Sequence, residues 1–201
     1  MEFFSIAREW VLICFGYILG CFSTGYYLVR YRTGLDLRTQ SSRSTGSANA
    51  ARVLGKPGYY LTLAGDALKA AVALGMARHF GASPWAIACV IVAVIAGHIW
   101  PIQLGFHGGK GLAPALGILA ILDWRATLIA GAVALIGPIF GWGKATFLLA
   151  ALISPFVIAF LNHGSAEITG MAALAALVLI AHRDNIRDFV VEKRGRKGLE
   201  A

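Results

Sequence analysis

Apolar residues fill this chain in long uninterrupted runs, separated by short clusters of glycine, proline and charge. Runs that are apolar on every face need an apolar surround, so the pattern predicts membrane spans rather than amphipathic surface helices. Seven segments qualify: Trp10 to Val29, Pro57 to Ala77, Pro84 to Leu104, Leu112 to Leu122, Ala126 to Trp142, Ala145 to Leu161 and Ile168 to Ala181. Several fall short of the roughly 20 residues that a perpendicular span needs, the fourth most of all, and fit as short helices inside a bundle. The alternation of a membrane barrel is missing, and backbone polar groups in lipid must be satisfied within their own segment, which leaves helices. The expected fold is all-α: a polytopic bundle of seven transmembrane helices forming one domain over residues 1–201, without repeats or a linker. The first run lacks a basic start and a small-x-small cleavage site, and reads as an anchor rather than a signal peptide.

Composition sharpens this picture. Of 201 residues 58% are hydrophobic and only 14% charged, against roughly a quarter charged in soluble domains, and the mean hydropathy is +0.69. Soluble, disordered and coiled-coil classes are excluded. Net charge is +8, and its placement matters more than its size. With seven spans, Arg30, Arg32, Arg38, Arg43, Arg52, Lys56, Lys110, Lys144, Arg183, Arg187, Lys193, Arg194, Arg196 and Lys197 share one side, whereas Arg8, Arg78 and Arg125 lie on the other. The positive-inside rule makes the basic side cytoplasmic and puts the N-terminus outside and the C-terminus inside. Fusing Leu112 to Trp142 into one span would invert the order downstream and put the basic tail outside. The expected partners are membrane lipid and a phosphorylated small molecule, with no nucleic acid and no obligate protein partner. Cys14, Cys21 and Cys89 sit in apolar runs without CxxC spacing and read as small buried residues.

Three polar clusters fall on the basic side. The first, SSRSTGSANAAR from Ser41 to Arg52, sets small residues between two arginines. Small residues let backbone amides approach an anion, Arg52 can clamp two of its oxygens, and a helix starting here would present Asn49 and Arg52 on one face. A solvated loop of topogenic charges has the same composition. The second, GHIWPIQLGFHGGKGLAPALG from Gly97 to Gly117, centres on Gly108, Gly109, Lys110 and Gly111 just before an apolar helix, in outline a phosphate cradle. It is not a Walker A loop, and a flexible tight turn is its plain alternative. The third, HRDNIRDF from His182 to Phe189, places His182 and Asn185 on one helical face and Arg183 and Arg187 on another, where Asp184 or Asp188 can pair with them. A charged interfacial collar reads the same way.

Asp66 and Lys69 lie one turn apart inside the second span, where a charge costs about 2.5 to 3.5 kcal/mol on insertion scales, so an ion pair facing the bundle is expected. His98 and Trp100 read as packing and helix-end residues. No metal-ligand spacing and no Ser/His/Asp or Cys/His arrangement is legible. An acyl transfer here would start from an activated donor, such as a mixed acyl-phosphoric anhydride, and rely on positioning and charge stabilisation.

In this order, the three clusters resemble the bacterial acyl-phosphate glycerol-3-phosphate acyltransferase family (PlsY), over roughly Gly20 to Arg194. The second resembles its GHxxPxxxxFxGGKGxAT stretch and HRDNI its HRxNI signature; GLDLR, NAARVLGKPG and GDALKA resemble its first block. The resemblance implies a seven-helix inner-membrane enzyme with a cytoplasmic site. Such an enzyme moves a fatty acyl group from acyl phosphate to the 1-position of sn-glycerol 3-phosphate, releasing phosphate and lysophosphatidic acid. It uses no cofactor and no protein nucleophile; the donor's own phosphate accepts the hydroxyl proton. Carried onto this chain, Arg52, Lys110, His182 and Asn185 are the catalytic candidates. Ser42, Asn49 and the backbone of Gly108, Gly109 and Gly111 are the substrate-binding ones. The chain departs from the pattern where Ser41 and Arg43 replace the glycines around Ser42, where Ser44 replaces an asparagine, and at His107, which stands for the basic residue before GGKG. The G-x-E ending after HRDNI is missing unless Glu192 stands in. A related transferase with another polar acceptor, or a carrier for an organic phosphate, are the other readings of the same clusters.

Overall fold

A computed structural model describes residues 2–139 and 145–187. Lys144, Asp188 and the basic tail with Glu192 lie outside the described residues. Among the described residues eight α-helices follow in order: α1 (Glu2–Cys21), α2 (Thr24–Thr33), α3 (Ser47–His79), α4 (Pro84–Ile99), α5 (Leu112–Leu122), α6 (Trp124–Ile139), α7 (Ala145–Phe160) and α8 (Ser165–Ala181). Two 3-10 turns, Leu37–Thr39 and Ile102–Leu104, complete them, and no strand occurs among the described residues. Three stretches are long and apolar enough to cross a membrane, Phe4–Thr33, Ser47–His79 and Pro84–Leu104, and four shorter apolar helices pack with them.

The all-round apolar α4 forms the centre, with Val90, Ile91, Val94 and Ile95 fully buried against Leu74 of α3, Ile118 of α5 and Leu174 and Val178 of α8. Glycines bring backbones into contact, as expected where helices associate without a hydrophobic drive. A Cβ at Gly20 would overlap the Val94 carbonyl, and one at Gly117 the Ala67 carbonyl. Large apolar side chains such as Trp10, Leu68, Leu135, Phe156 and Phe160 point outward. Only Cys21 of the three cysteines is buried; Cys14 and Cys89 are exposed on the outer surface of their helices, because the apolar surround they need is outside the bundle.

The helices turn at two ends. At one, Arg8 donates to Gly81 (3.0 Å), the Ser83 amide to Glu9 (3.0 Å), and Arg78 to the carbonyls of Ile121 and Leu122 at the end of α5. Asp123 joins the α5–α6 turn to His163 of the α7–α8 turn at 3.0 Å and pairs with Arg125 at 2.7 Å. The extended Asp123 therefore divides Leu112 to Ile139 into two helices rather than one.

The first apolar run is interrupted at Phe22 and Ser23, and the break frees carbonyls at the end of α1 that lipid cannot satisfy. Lys69 supplies the donors, reaching Gly20 O at 2.9 Å and Phe22 O at 2.5 Å, while Gln103 Nε2 donates to Cys21 O at 2.6 Å. Asp66, 3.0 Å from Lys69, accepts from the Thr24 amide at 3.3 Å. A cation thus stands at the C-terminal end of α1 and an anion at the N-terminal end of α2, the signs that complement both helix dipoles. The ion pair expected inside the second span exists and faces the bundle. A second interruption lies in α3, where Gly55 adopts φ 67 and ψ −157 two residues before Pro57.

Candidate active site

The basic end carries all three polar clusters. The loop after α2 is anchored by Asp36, whose carboxylate accepts from the Arg38 amide (2.9 Å) and pairs with its guanidinium at 2.6 Å. That guanidinium lies over the Tyr26 ring, donates to Leu104 O at 2.8 Å and holds the Asp36 carboxyl below the usual carboxylate range. Asn49, 1% exposed in the first turn of α3, donates through Nδ2 to the carbonyls of Leu37, Gln40 and Ser44 at 2.8 to 3.0 Å, tying the loop to the helix start. One turn on, the exposed Arg52 donates to Asn49 Oδ1 at 3.4 Å, so both residues share the face expected of them. Asn49 is thus a fold-building residue whose remaining oxygen aims Arg52.

Ser42 is exposed at the tip of the loop between two residues of left-handed backbone, Ser41 at φ 39 and Arg43 at φ 55. Left-handed backbone favours glycine, and these are the positions where the chain departs from the family pattern. Here serine and arginine adopt the conformation that suits glycine. Arg43→Gly is expected to raise folding stability by about 1 kcal/mol, read as a higher thermal midpoint in detergent; a lower midpoint contradicts it.

The glycine loop lies across the end of α4. The Gly108 amide donates to Ile99 O at 3.1 Å and the Gly109 amide to His98 O at 3.0 Å, so these two donors turn inward to the fold rather than toward an anion. Their want of side chains is what lets the loop sit there: a Cβ on Gly108 would overlap His98 O, and one on Gly109 would overlap the His98 ring. Gly111, buried and at φ 84, caps α5. The sequence reading of Gly108 and Gly109 as amide donors for phosphate is thereby replaced by one of close approach.

Two hydrogen bonds join the clusters. The Thr45 amide donates to Gly108 O at 3.2 Å, and Lys110 Nζ donates to Asn185 Oδ1 at 2.6 Å. His182, 8% exposed at the end of α8, has Nδ1 2.8 Å from Val178 O. A carbonyl only accepts, so Nδ1 carries the proton; burial pushes the imidazole below its ordinary pKa, with the Lys110 charge acting in the same direction. The neutral ring then has Nε2 as an acceptor. Arg183 lies 3.8 Å from Asp184, both exposed.

Sequence reasoning missed His98. It is not a plain packing residue: 3% exposed, it places Nδ1 3.0 Å from Lys69 Nζ and 3.9 Å from Asp66. Its place near the start of the Gly97 to Gly117 cluster, in the last turn of α4, was the available signal. Among the described residues no group of three or more His, Cys, Asp or Glu could hold a metal ion.

The model of the glycerol-3-phosphate acyltransferase family matches residues 10–192. Glycerol-3-phosphate acyltransferase 1 of Desulfitobacterium hafniense (strain Y51) is 41% identical over 187 residues, 92% of this chain and 93% of the relative. The glycerol-3-phosphate acyltransferase of Neisseria gonorrhoeae (strain NCCP11945) is 35% identical over 92% of this chain and 96% of its own length. The crystal structure of PlsY (YgiH), an integral membrane glycerol 3-phosphate acyltransferase, in its glycerol 3-phosphate form superposes with a TM-score of 0.84 at 28% identity, covering 92% of this chain and 93% of that one. Its lysphosphatidic acid form gives 0.81 at 26% identity, with the same coverage. A helical membrane fold, a one-sided basic site and these similarities converge, and the chain belongs to the glycerol-3-phosphate acyltransferase family.

Proposed function

We propose that this chain transfers a fatty acyl group from acyl phosphate to sn-glycerol 3-phosphate, forming lysophosphatidic acid and phosphate in phospholipid biosynthesis. The observation that carries the reading is the meeting of three clusters far apart in sequence, through Thr45 with Gly108 and Lys110 with Asn185. Arg52 and Lys110 hold phosphate charge, Lys110 as a point charge and Arg52 as a two-pronged donor. Ser42 contributes a hydroxyl from the loop after α2. Asn185 steadies Lys110, and the Nε2 lone pair of His182 suits the acceptor's hydroxyl better than a phosphate oxygen.

In the proposed reaction the glycerol hydroxyl oxygen bonds to the acyl carbon, the bond from that carbon to the phosphate oxygen breaks, and the hydroxyl proton leaves on the departing phosphate. Neither a protein nucleophile nor a cofactor takes part. Catalysis comes from holding two anions side by side and from positive charge near the tetrahedral oxygen. In the membrane, α1 with α2 makes the first crossing and α3 to α8 the other six. The basic end faces the cytoplasm and the N-terminus lies outside the inner membrane.

Purified protein in detergent, given acyl phosphate and labelled glycerol 3-phosphate, is expected to form labelled lysophosphatidic acid and one phosphate per product. Absence of both products overturns the reading. Phosphate release only with a different polar acceptor moves it to a related transferase.

A further inference from the structure

Lys69 makes one contact that the α1–α2 break does not require. Besides Gly20 O, Phe22 O and Asp66, its ammonium lies 3.0 Å from Nδ1 of His98 in the last turn of α4. An ammonium has only donors, so Nδ1 must accept, and the neutral imidazole carries its proton on Nε2. The Nε2 edge is turned to the glycine loop: the face of Gly109 where a side chain would start is filled by Nε2 and Cε1 of this ring. The backbone of the same residue accepts the Gly109 amide at 3.0 Å. His98 therefore touches the loop by ring and carbonyl at once, one residue before Lys110.

We infer that His98 is a positioning residue for Lys110: locked by Lys69, which Asp66 holds in turn, and with its Nε2 edge against Gly109, it sets how the glycine loop lies and so where the Lys110 ammonium meets phosphate. The inference rests on the proposed role of Lys110. A Lys110 held only by its own flexible stem would gain nothing from a buried ring against the preceding residue. A loop packed directly on that ring transmits any change in its width.

The test is a double-mutant cycle on glycerol 3-phosphate binding, measured by calorimetry on the full chain in detergent. In His98→Asn the amide Oδ1 stands as many bonds from Cβ as Nδ1 does, so Lys69 keeps an acceptor while the ring edge against Gly109 is lost. Affinity is expected to fall about fivefold, within the range of coupling between contacting residues, with the thermal midpoint retained. The same change in a Lys110→Ala background is expected to cost less than about twofold, whereas in an Arg52→Ala background the fivefold loss persists. Unchanged affinity in His98→Asn, or an equal loss with and without Lys110, overturns the inference and leaves the proposed function standing. If Lys110→Ala by itself leaves affinity unchanged, the proposed role of Lys110 falls and the inference with it. Should His98→Asn fail to fold, His98→Gln, which also lacks the ring edge, goes through the same cycle. Failure of both while Lys110→Ala folds shows a core-building residue and overturns the positioning role.

Discussion

Lys69→Met is expected to destabilise the protein by about 3 to 5 kcal/mol, the cost of breaking a buried ion pair by removing one partner. Three debts fall due together in this variant. The Asp66 carboxylate, whose side chain is 1% exposed, loses the cation 3.0 Å away. The Gly20 and Phe22 carbonyls lose their Lys69 donor in a segment surrounded by apolar residues. His98 Nδ1 loses the donor at 3.0 Å. The measurement is the thermal or denaturant midpoint of purified protein in detergent, with the yield of inserted protein as a second readout. Replacing both charges, Asp66→Leu with Lys69→Met, is expected to recover part of the loss, since the stranded carboxylate is then gone. A Lys69→Met midpoint equal to that of the parent chain would mean that the pair contributes nothing to holding the break between α1 and α2.

The break itself marks a boundary of what sequence can tell. The run from Trp10 to Val29 reads as one span because nothing in Cys21, Phe22, Ser23 and Thr24 forbids a helix. The interruption is stabilised by Lys69, Asp66 and Gln103, which lie 42 to 82 residues away in the chain. Sequence shows that Asp66 and Lys69 must find each other, because two isolated charges in an apolar run are untenable and a spacing of three puts them on one helical face. It does not show that their second partners are helix ends. The turn at Asp123 is legible from charge placement, since joining α5 to α6 would send the basic tail to the wrong side. The clusters were likewise legible as chemistry, because Arg, Lys, His and Asn in short glycine-rich stretches have little to do in a lipid-facing segment. Their individual roles were less so: identical glycines serve as anion donors in one backbone and as close-approach sites in another. Only the inward hydrogen bonds of Gly108 and Gly109 separate the two. Ser41 and Arg43 carry the opposite lesson, since a left-handed loop conformation occurs at both without the glycine that would have announced it.

Lys110→Ala is expected to lower kcat/KM for glycerol 3-phosphate at least tenfold, about 1.4 kcal/mol of transition-state stabilisation, and Arg52→Ala to do the same. The two residues approach the site from different elements, Lys110 from the loop before α5 and Arg52 from the first turns of α3. Neither is built into the core: Arg52 is exposed and Lys110 half-buried, with its ammonium on Asn185 Oδ1 at 2.6 Å. Alanine at either position should therefore leave insertion and the thermal midpoint unchanged, which separates loss of charge from loss of fold. The kinetic pattern distinguishes their work. A residue that only binds the acceptor's phosphate raises KM for glycerol 3-phosphate with kcat preserved, whereas one that also stabilises charge developing at the acyl centre lowers kcat. Arg52 has a planar fork and a neighbour, Asn49, that aims it, so its loss should be felt chiefly in KM. Lys110 has a compact charge on a loop packed against α4, and its loss should be felt in kcat as well. Parent-like rates in both variants would remove the phosphate-holding pair from the mechanism, however well the three clusters meet.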